Sequence, residues 1–235
     1  MLPRYRITRS LSLLSTAAII PRCKTLVLSD FHIGIEHELL SHGLLVPKTH
    51  FKQLLAQLTA MMDAAKPERV IITGDFKHSF GAISDQEWRD GATLLDVLTN
   101  SSECILIKGN HDPFLPPIAK KRNIRIEDSF RIGNALLVHG DVLPAPAKLK
   151  GISLIIIGHE HPAYRVQSNL RSEIFKCFIW GRWKRRRLLV LPSSNPLYVG
   201  TDIREGSFGP FMKDLTNREY FVLGDRFYLF PEPKE

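Results

Sequence analysis

Apolar runs of four or five residues recur along the chain, and two of the stretches between them carry helical periodicity. Residues 25–29 are apolar and β-rich and lead into Asp30. Within 47–65, Phe51, Leu54, Leu55, Leu58, Met61 and Met62 share one helical face, which predicts an amphipathic helix ended by Lys66-Pro67. Its methionines read as core filler. Residues 69–73 predict the next strand. Ser84 with Glu87 forms a capping-box pattern, predicting a second helix to about Leu98. Residues 104–108 predict a third strand. The order β-α-β-α-β implies a parallel sheet with crossover helices.

Beyond Asp112 the pattern turns to strands. Residues 130–132 and 135–138 flank Gly133-Asn134 and predict a hairpin. The run 154–157 is wholly apolar, as in a strand buried on both faces. Residues 174–180, 187–191, 220–223 and 227–230 predict further strands, mostly antiparallel because the turns between them are short. At the start, Arg4, Arg6 and Arg9 precede the run 11–20, which superficially resembles a signal peptide. The run is short and broken by Ser and Thr, so it is read as a leading edge strand, with Pro21-Arg22 turning the chain into the next strand. No run approaches the ~20 apolar residues of a membrane span. With no repeat and no linker, the 235 residues read as a single domain, its motif-bearing core at about 24–203.

Composition changes this picture little. A hydrophobic share of 44% suits a full-sized core, and the net charge of +8 favours phosphate-rich partners, nucleic acid included. The three cysteines, Cys23, Cys104 and Cys177, are widely spaced and form no CxxC, so neither a disulfide framework nor a thiolate zinc site is implied. A reducing, cytoplasmic location is the simpler expectation.

The chemistry lies in five polar segments, each after an apolar run: Ser29-Asp30-Phe31-His32, Gly74-Asp75-Phe76-Lys77-His78, Gly109-Asn110-His111-Asp112, Val138-His139-Gly140-Asp141 and Gly158-His159-Glu160-His161. Asp, Asn and His are the donors that suit Mn²⁺, Fe²⁺ or Zn²⁺. Two close divalent ions activate water and clamp the oxygens of a phosphoryl transfer. Asp30 and His32 stand two apart, as do His159 and His161, so strand alternation would turn each pair to one side. Each piece alone is an ordinary turn or cap. Five of them, each after a hydrophobic strand, make a coincidence implausible.

In that order the segments resemble the calcineurin-like metallophosphoesterase superfamily. The phrases SDFHIG, GDFKH and KGNHD are especially similar to the archaeal SbcD-related and the bacterial DNA-ligase-associated phosphoesterases. The resemblance covers about 26–203. It implies an α/β fold: a four-layer α/β/β/α sandwich, two mixed β-sheets flanked by helices. It further implies one divalent ion, Mn²⁺ first among the candidates, on Asp30, His32 and His161, and a second on Asn110, His139 and His159, with Asp75 bridging them. His111, oriented by Asp112, would give a proton to the leaving oxygen.

The activity implied is metal-dependent hydrolysis of phosphate esters, with phosphodiesters of nucleic acid or nucleotides ahead of phosphomonoesters or cyclic nucleotides. A non-catalytic scaffold of the same fold would show eroded ligands, whereas every motif position is filled. GDFKHSF lacks the Arg-Gly that the protein Ser/Thr phosphatases carry at this motif, which disfavours that substrate class. His78 is either a residue behind the ligands or one facing substrate. The run Arg182-Trp183-Lys184-Arg185-Arg186-Arg187 reads first as a solvated hairpin turn. Its other reading is a phosphate-backbone contact through Arg182 and its neighbours, with Trp183 as a stacking platform. In Pro192-Ser193-Ser194-Asn195-Pro196, Asn195 and the two serines are candidates to bind substrate oxygens. His37, His42 and His50 lie in the first crossover, and at least two of them read as surface residues.

Overall fold

The computed structural model describes residues 2–45, 49–79, 84–112, 119–167 and 171–232. Its first sheet opens with antiparallel neighbours β1 (Arg4–Thr8), β2 (Leu11–Leu14) and β3 (Ala17–Ile20). The run 11–20 is therefore two strands rather than one. It folds back at Ser15, which takes a φ of 51°, and lies inside the sheet with β1 as the edge. Leu11, Leu13, Ala18 and Ile20 face the second sheet, while Leu14, Ala17 and Ile19 face the helices.

A 3-10 turn at Pro21–Cys23 leads into β4 (Thr25–Leu28), beside which β5 (Arg69–Thr73), β6 (Glu103–Ile107) and β7 (Arg125–Glu127) add in parallel. Alternation in these strands divides two cores. Leu26, Leu28, Val70, Ile72 and Leu106 pack towards the helices, and Val27, Ile71, Ile105 and Ile107 pack towards the other sheet.

Helix α1 (Ile35–Ser41) has no counterpart among the expected elements; it is seven residues long and has no side-chain cap. Helix α2 (His50–Ala65) buries Leu54, Leu58, Met61 and Met62, and also His50, whereas His37 and His42 are exposed. Its expected start at residue 47 lies outside the described residues. Helix α3 (Asp85–Thr99) begins with the expected capping box: the Ser84 hydroxyl accepts from the Glu87 amide, and the Glu87 carboxylate accepts from the Ser84 amide.

The second sheet runs through β14 (Thr201–Asp202), β11 (Pro162–Gln167), β12 (Ser172–Trp183), β13 (Arg186–Val190), β10 (Leu154–Ile157), β9 (Ala135–Leu137) and β8 (Phe130–Ile132). Strands β15 (Leu215–Leu223) and β16 (Phe227–Phe230) continue it from β12. β10 is parallel to β9 and β13 and buried among them, as its wholly apolar sequence requires. The inner faces meet through Leu137, Ile156, Phe178, Trp180 and Leu189. On the outer face of this sheet the helical layer is thin. Among the described residues, the 3-10 turns Pro146–Leu149 and Met212–Asp214 supply it, with Phe211 beneath.

Candidate metal centre

The five polar segments come after the carboxyl ends of β4, β5, β6, β9 and β10, where both sheets open to one side. Strand alternation is not what aims the paired residues. β4 ends at Leu28 and β10 at Ile157, each two residues before the first donor. Instead Asp30, His32, Asp75, His159 and His161 all take left-handed backbone, with φ of 53°, 44°, 46°, 66° and 43°. Asp and His are among the few non-glycine residues that enter this region readily. Left-handed residues at alternate positions turn Asp30 and His32 to the site and send Phe31 into the core; Glu160 separates His159 from His161 in the same way.

The loops hold one another. The amides of Asp30, His32 and Ile33 donate to the carbonyls of Gly74, Asp75 and Phe76 at 3.1, 2.9 and 3.0 Å. Gly74, at φ 93°, leaves room for His139, whose Nδ1 would overlap a Cβ there. From the second sheet, the Ser193 hydroxyl donates to the Asp30 carbonyl at 2.7 Å, and the Asn195 amide group donates to the Phe31 carbonyl at 2.7 Å. Asn195 and the two serines are buried. Their polar groups brace the ligand loop instead of facing a substrate, which corrects the substrate-binding expectation for Asn195. Lys176 ties this brace down, its Nζ donating to the carbonyls of Ser193 and Asn195 at 2.6 Å each.

Three donor groups occur among the described residues, one of them His32, His78 and His111 and the other two joined through Asp75. Of these two, Asp30, His32, Asp75 and His161 form one and Asp75, His139 and His159 the other; within each, the ligand atoms lie within 4.8 Å of one another. Asp75 belongs to both. Its Oδ2 is 3.4 Å from His139 Nε2 and 3.8 Å from His32 Nε2, while its Oδ1 accepts the His111 amide at 3.0 Å. Asn110 Oδ1 is 2.9 Å from His139 Nε2. His139 Nδ1–H donates to the Thr73 carbonyl, which turns Nε2 towards the site.

The electrostatics suit cations. Burial and the neighbouring His161 push His32 down to about 3, so it is a neutral imidazole. Burial opposes charge on His139, yet Asp75 and Asp30 outweigh it and raise its pKa to about 10. Without a cation, a proton on His139 offsets only one of the two carboxylate charges. His161 Nδ1 is buried without a hydrogen-bond partner. His161 turns Nε2, the other ring nitrogen, to the cluster, 3.3 Å from Asp30 Oδ1, and this donor set of oxygen and nitrogen alone, with carboxylate charge left over, fits divalent metal.

His78 stands behind His32, with Nδ1 atoms 3.3 Å apart, and its Nε2 meets Glu38 Oε2 at 2.7 Å. His111 borders the pocket, and its Nδ1 faces the His78 carbonyl. Asp112 does not orient that ring. Its buried carboxylate accepts the amides of Phe76, Lys77 and Gly109, clasping two ligand loops, and burial beside Asp75 raises it to about 6.

Arg182 is not brought to the site at all. Arg187 pairs with Leu154 at the amino end of β10, so the basic turn lies at the opposite end of the sheet from His159. Six residues from Arg187 to Ser193 at about 3.3 Å each put it some 20 Å away. Trp183 is buried against Phe211 at 5.0 Å, so its ring offers no stacking platform.

Three residues of the site carry little or no sequence signal. Tyr198 stacks on His32 at 5.2 Å and meets His161 edge-on at 4.7 Å. Phe208 lies 6.4 Å from His159. Glu160 holds the backbone of Phe208 and Gly209. Only Glu160 left a trace in the sequence, as an acidic residue enclosed by two ligand histidines.

A sequence model of the calcineurin-like phosphoesterases matches residues 23–147. No curated protein matches the sequence significantly. Among solved structures, a nuclease MPE from Pseudomonas putida aligns over 94% of this chain and 96% of its own, at 19% identity and a TM-score of 0.65. A protein of unknown function, AQ665 from Aquifex aeolicus, aligns over 58% and 78%, at 18% identity and a TM-score of 0.42. The phosphoesterase Yfce from E. coli aligns over 72% and 79%, at 13% identity and a TM-score of 0.38.

Proposed function

The chain belongs to the calcineurin-like phosphoesterase family, and from that premise we propose that it hydrolyses phosphodiesters of nucleic acid or nucleotides with two divalent metal ions. The observation that carries this reading is the single carboxylate of Asp75, shared by two groups of donors that are buried except for the half-buried His159. Asp30, His32 and His161 would hold the first ion, and Asn110, His139 and His159 the second, with Asp75 between them. Bound there, the ions supply Lewis acidity at the phosphoryl oxygens and lower the pKa of water. Mn²⁺ suits these donors, with Fe²⁺ or Zn²⁺ as alternatives.

The protein's own contribution is positioning and proton transfer. His111 is held by its amide on Asp75 and by its ring Nδ1 against the His78 carbonyl. On this reading Nε2 would deliver the proton to the leaving oxygen, a role that typically contributes ~10²–10⁴-fold. Two things support a nucleic-acid substrate: the net charge of +8, and a shared fold with a nuclease over nearly the whole chain. The three unpaired cysteines favour the cytoplasm. Among the described residues no helix is long and apolar enough to cross a membrane.

Chelation should abolish hydrolysis of bis(p-nitrophenyl) phosphate and of a short oligodeoxynucleotide, and Mn²⁺ should restore both. Full turnover by protein shown to be metal-free by elemental analysis would sink the reading.

A further inference from the structure

Phe208 is 60% exposed, yet its backbone is tightly held. The buried Glu160 accepts the amides of Phe208 and Gly209 through its two oxygens, at 2.8 and 2.7 Å. Hydrogen bonds to a carboxylate are among the stronger ones. Gly209 completes the clamp. A Cβ there would lie 2.6 Å from Glu160 Oε1 and 2.8 Å from the Gly140 carbonyl, so only glycine lets the loop press this close. Two hydrogen bonds and a steric notch thus fix the backbone that carries a phenyl ring burying little of its own surface. Core packing does not account for that placement.

The position of the ring does. Phe208 and Tyr198 line a pocket of about 210 Å³ together with Asp75, Asn110, His111, His159 and His161. Tyr198 is spent on ligand rings, stacked on His32 and edge-on to His161. Among the described residues Phe208 meets one aromatic ring, that of His159, near-perpendicular at 74°, and a phenyl ring 60% exposed keeps a π-face for another ring. Every nucleobase has a face to stack on it, and such stacking needs no sequence readout.

We propose that Phe208, clamped by Glu160, is the platform on which a base next to the scissile phosphodiester stacks. The substrate is therefore a single strand or a frayed end, because a base within a continuous duplex is already stacked on its neighbours. This inference rests on the phosphodiesterase reading above and narrows it.

The test compares an oligodeoxynucleotide with the same strand carrying abasic sites, for the wild type, Phe208→Ala, Phe208→Leu and Phe208→Tyr. Two quantities are read: kcat/KM with Mn²⁺, and Kd by fluorescence anisotropy in EDTA, which needs no turnover. The wild type and Phe208→Tyr should favour the base-bearing strand by about 5-fold or more, and Phe208→Ala and Phe208→Leu should lose that preference. Leu keeps the apolar bulk without the π-face, so it separates stacking from packing. Absence of the preference in the wild type, equal losses on both strands, or duplex cleaved as fast as single strand would each overturn the proposal. If the wild type cleaves no oligonucleotide but binds the base-bearing strand more tightly through Phe208, the catalytic reading falls and the platform stands. Turnover without base preference gives the reverse.

Discussion

Asp30, His32, Asp75, His159 and His161 sit in left-handed backbone, a conformation that costs of order 1 kcal/mol or more per residue and persists only where surroundings enforce it. Here the enforcement is mutual, since each ligand loop is hydrogen-bonded to the next. Asp75 is the most sensitive position because it serves both donor groups. Asp75→Asn should cost more activity than the roughly 10–100-fold typical of residues behind ligands, and metal analysis should show both ions weakened. Two retained metals with near-normal turnover would remove Asp75 from the bridging position. Lys176 offers a test of the brace behind these loops. Burial, partly offset by the charge of Asp30, lowers its pKa from 10.5 to about 7. Between those values the unfolded chain binds more protons than the folded one. The contribution of Lys176 to stability therefore rises with pH across that window and is least favourable below 7. In urea titrations of chelated protein, the stability of the wild type relative to Lys176→Met should improve by on the order of a few kcal/mol from pH 7 to 10. A difference that does not vary with pH would mean that the ammonium stays charged and solvated.

At the scale of elements, local chemistry decides as much as the hydrophobic pattern. Ser84 and Glu87 specify the start of α3 by satisfying amides that the helix itself cannot. Glu87 does more than cap: its Oε1 also accepts the amide and hydroxyl of Ser79, one residue beyond His78. Ser84→Ala should therefore cost about 1 kcal/mol. Glu87→Ala should cost more, because it releases the segment after His78 as well. Thermal or urea unfolding of the two variants checks the order, and equal losses would reduce Glu87 to a cap. The hairpin β2–β3 shows the opposite case. Apart from Ser12 its residues are apolar on both sides of Ser15-Thr16 because both faces of the strands are buried, so alternation gives no sign of where the chain reverses.

Over the whole molecule, charge and chemistry are separated. The turn carrying Lys184 and Arg185 joins β12 to β13 at the end of the sheet away from the metal centre. Lys184 rests its Nζ 4.6 Å above the buried Trp183 ring, which is a local use of that charge. Reversing Lys184 and Arg185 to Glu should leave model-diester turnover within about 2-fold and the salt slope of oligonucleotide binding unchanged. A slope that falls by about 0.7 for each phosphate no longer neutralised would instead carry the nucleic acid across the far end.

The sequence by itself determined strands β4, β5 and β6 with helices α2 and α3 between them, the hairpin at Gly133-Asn134, the capping of α3 and the five donor-bearing segments. These are local facts: periodicity, cap chemistry and residue type need no distant partner. Only the tertiary structure decided that Asp75 serves both donor groups, because that depends on loops 30–33, 74–78, 138–141 and 158–161 meeting across two sheets. It also turned Asp112, Ser193 and Asn195 from expected chemistry to bracing, placed Arg182 at the far end and set Tyr198 and Phe208 as walls. A side chain's type is written at its position, but what it touches is set by packing between segments more than a hundred residues apart.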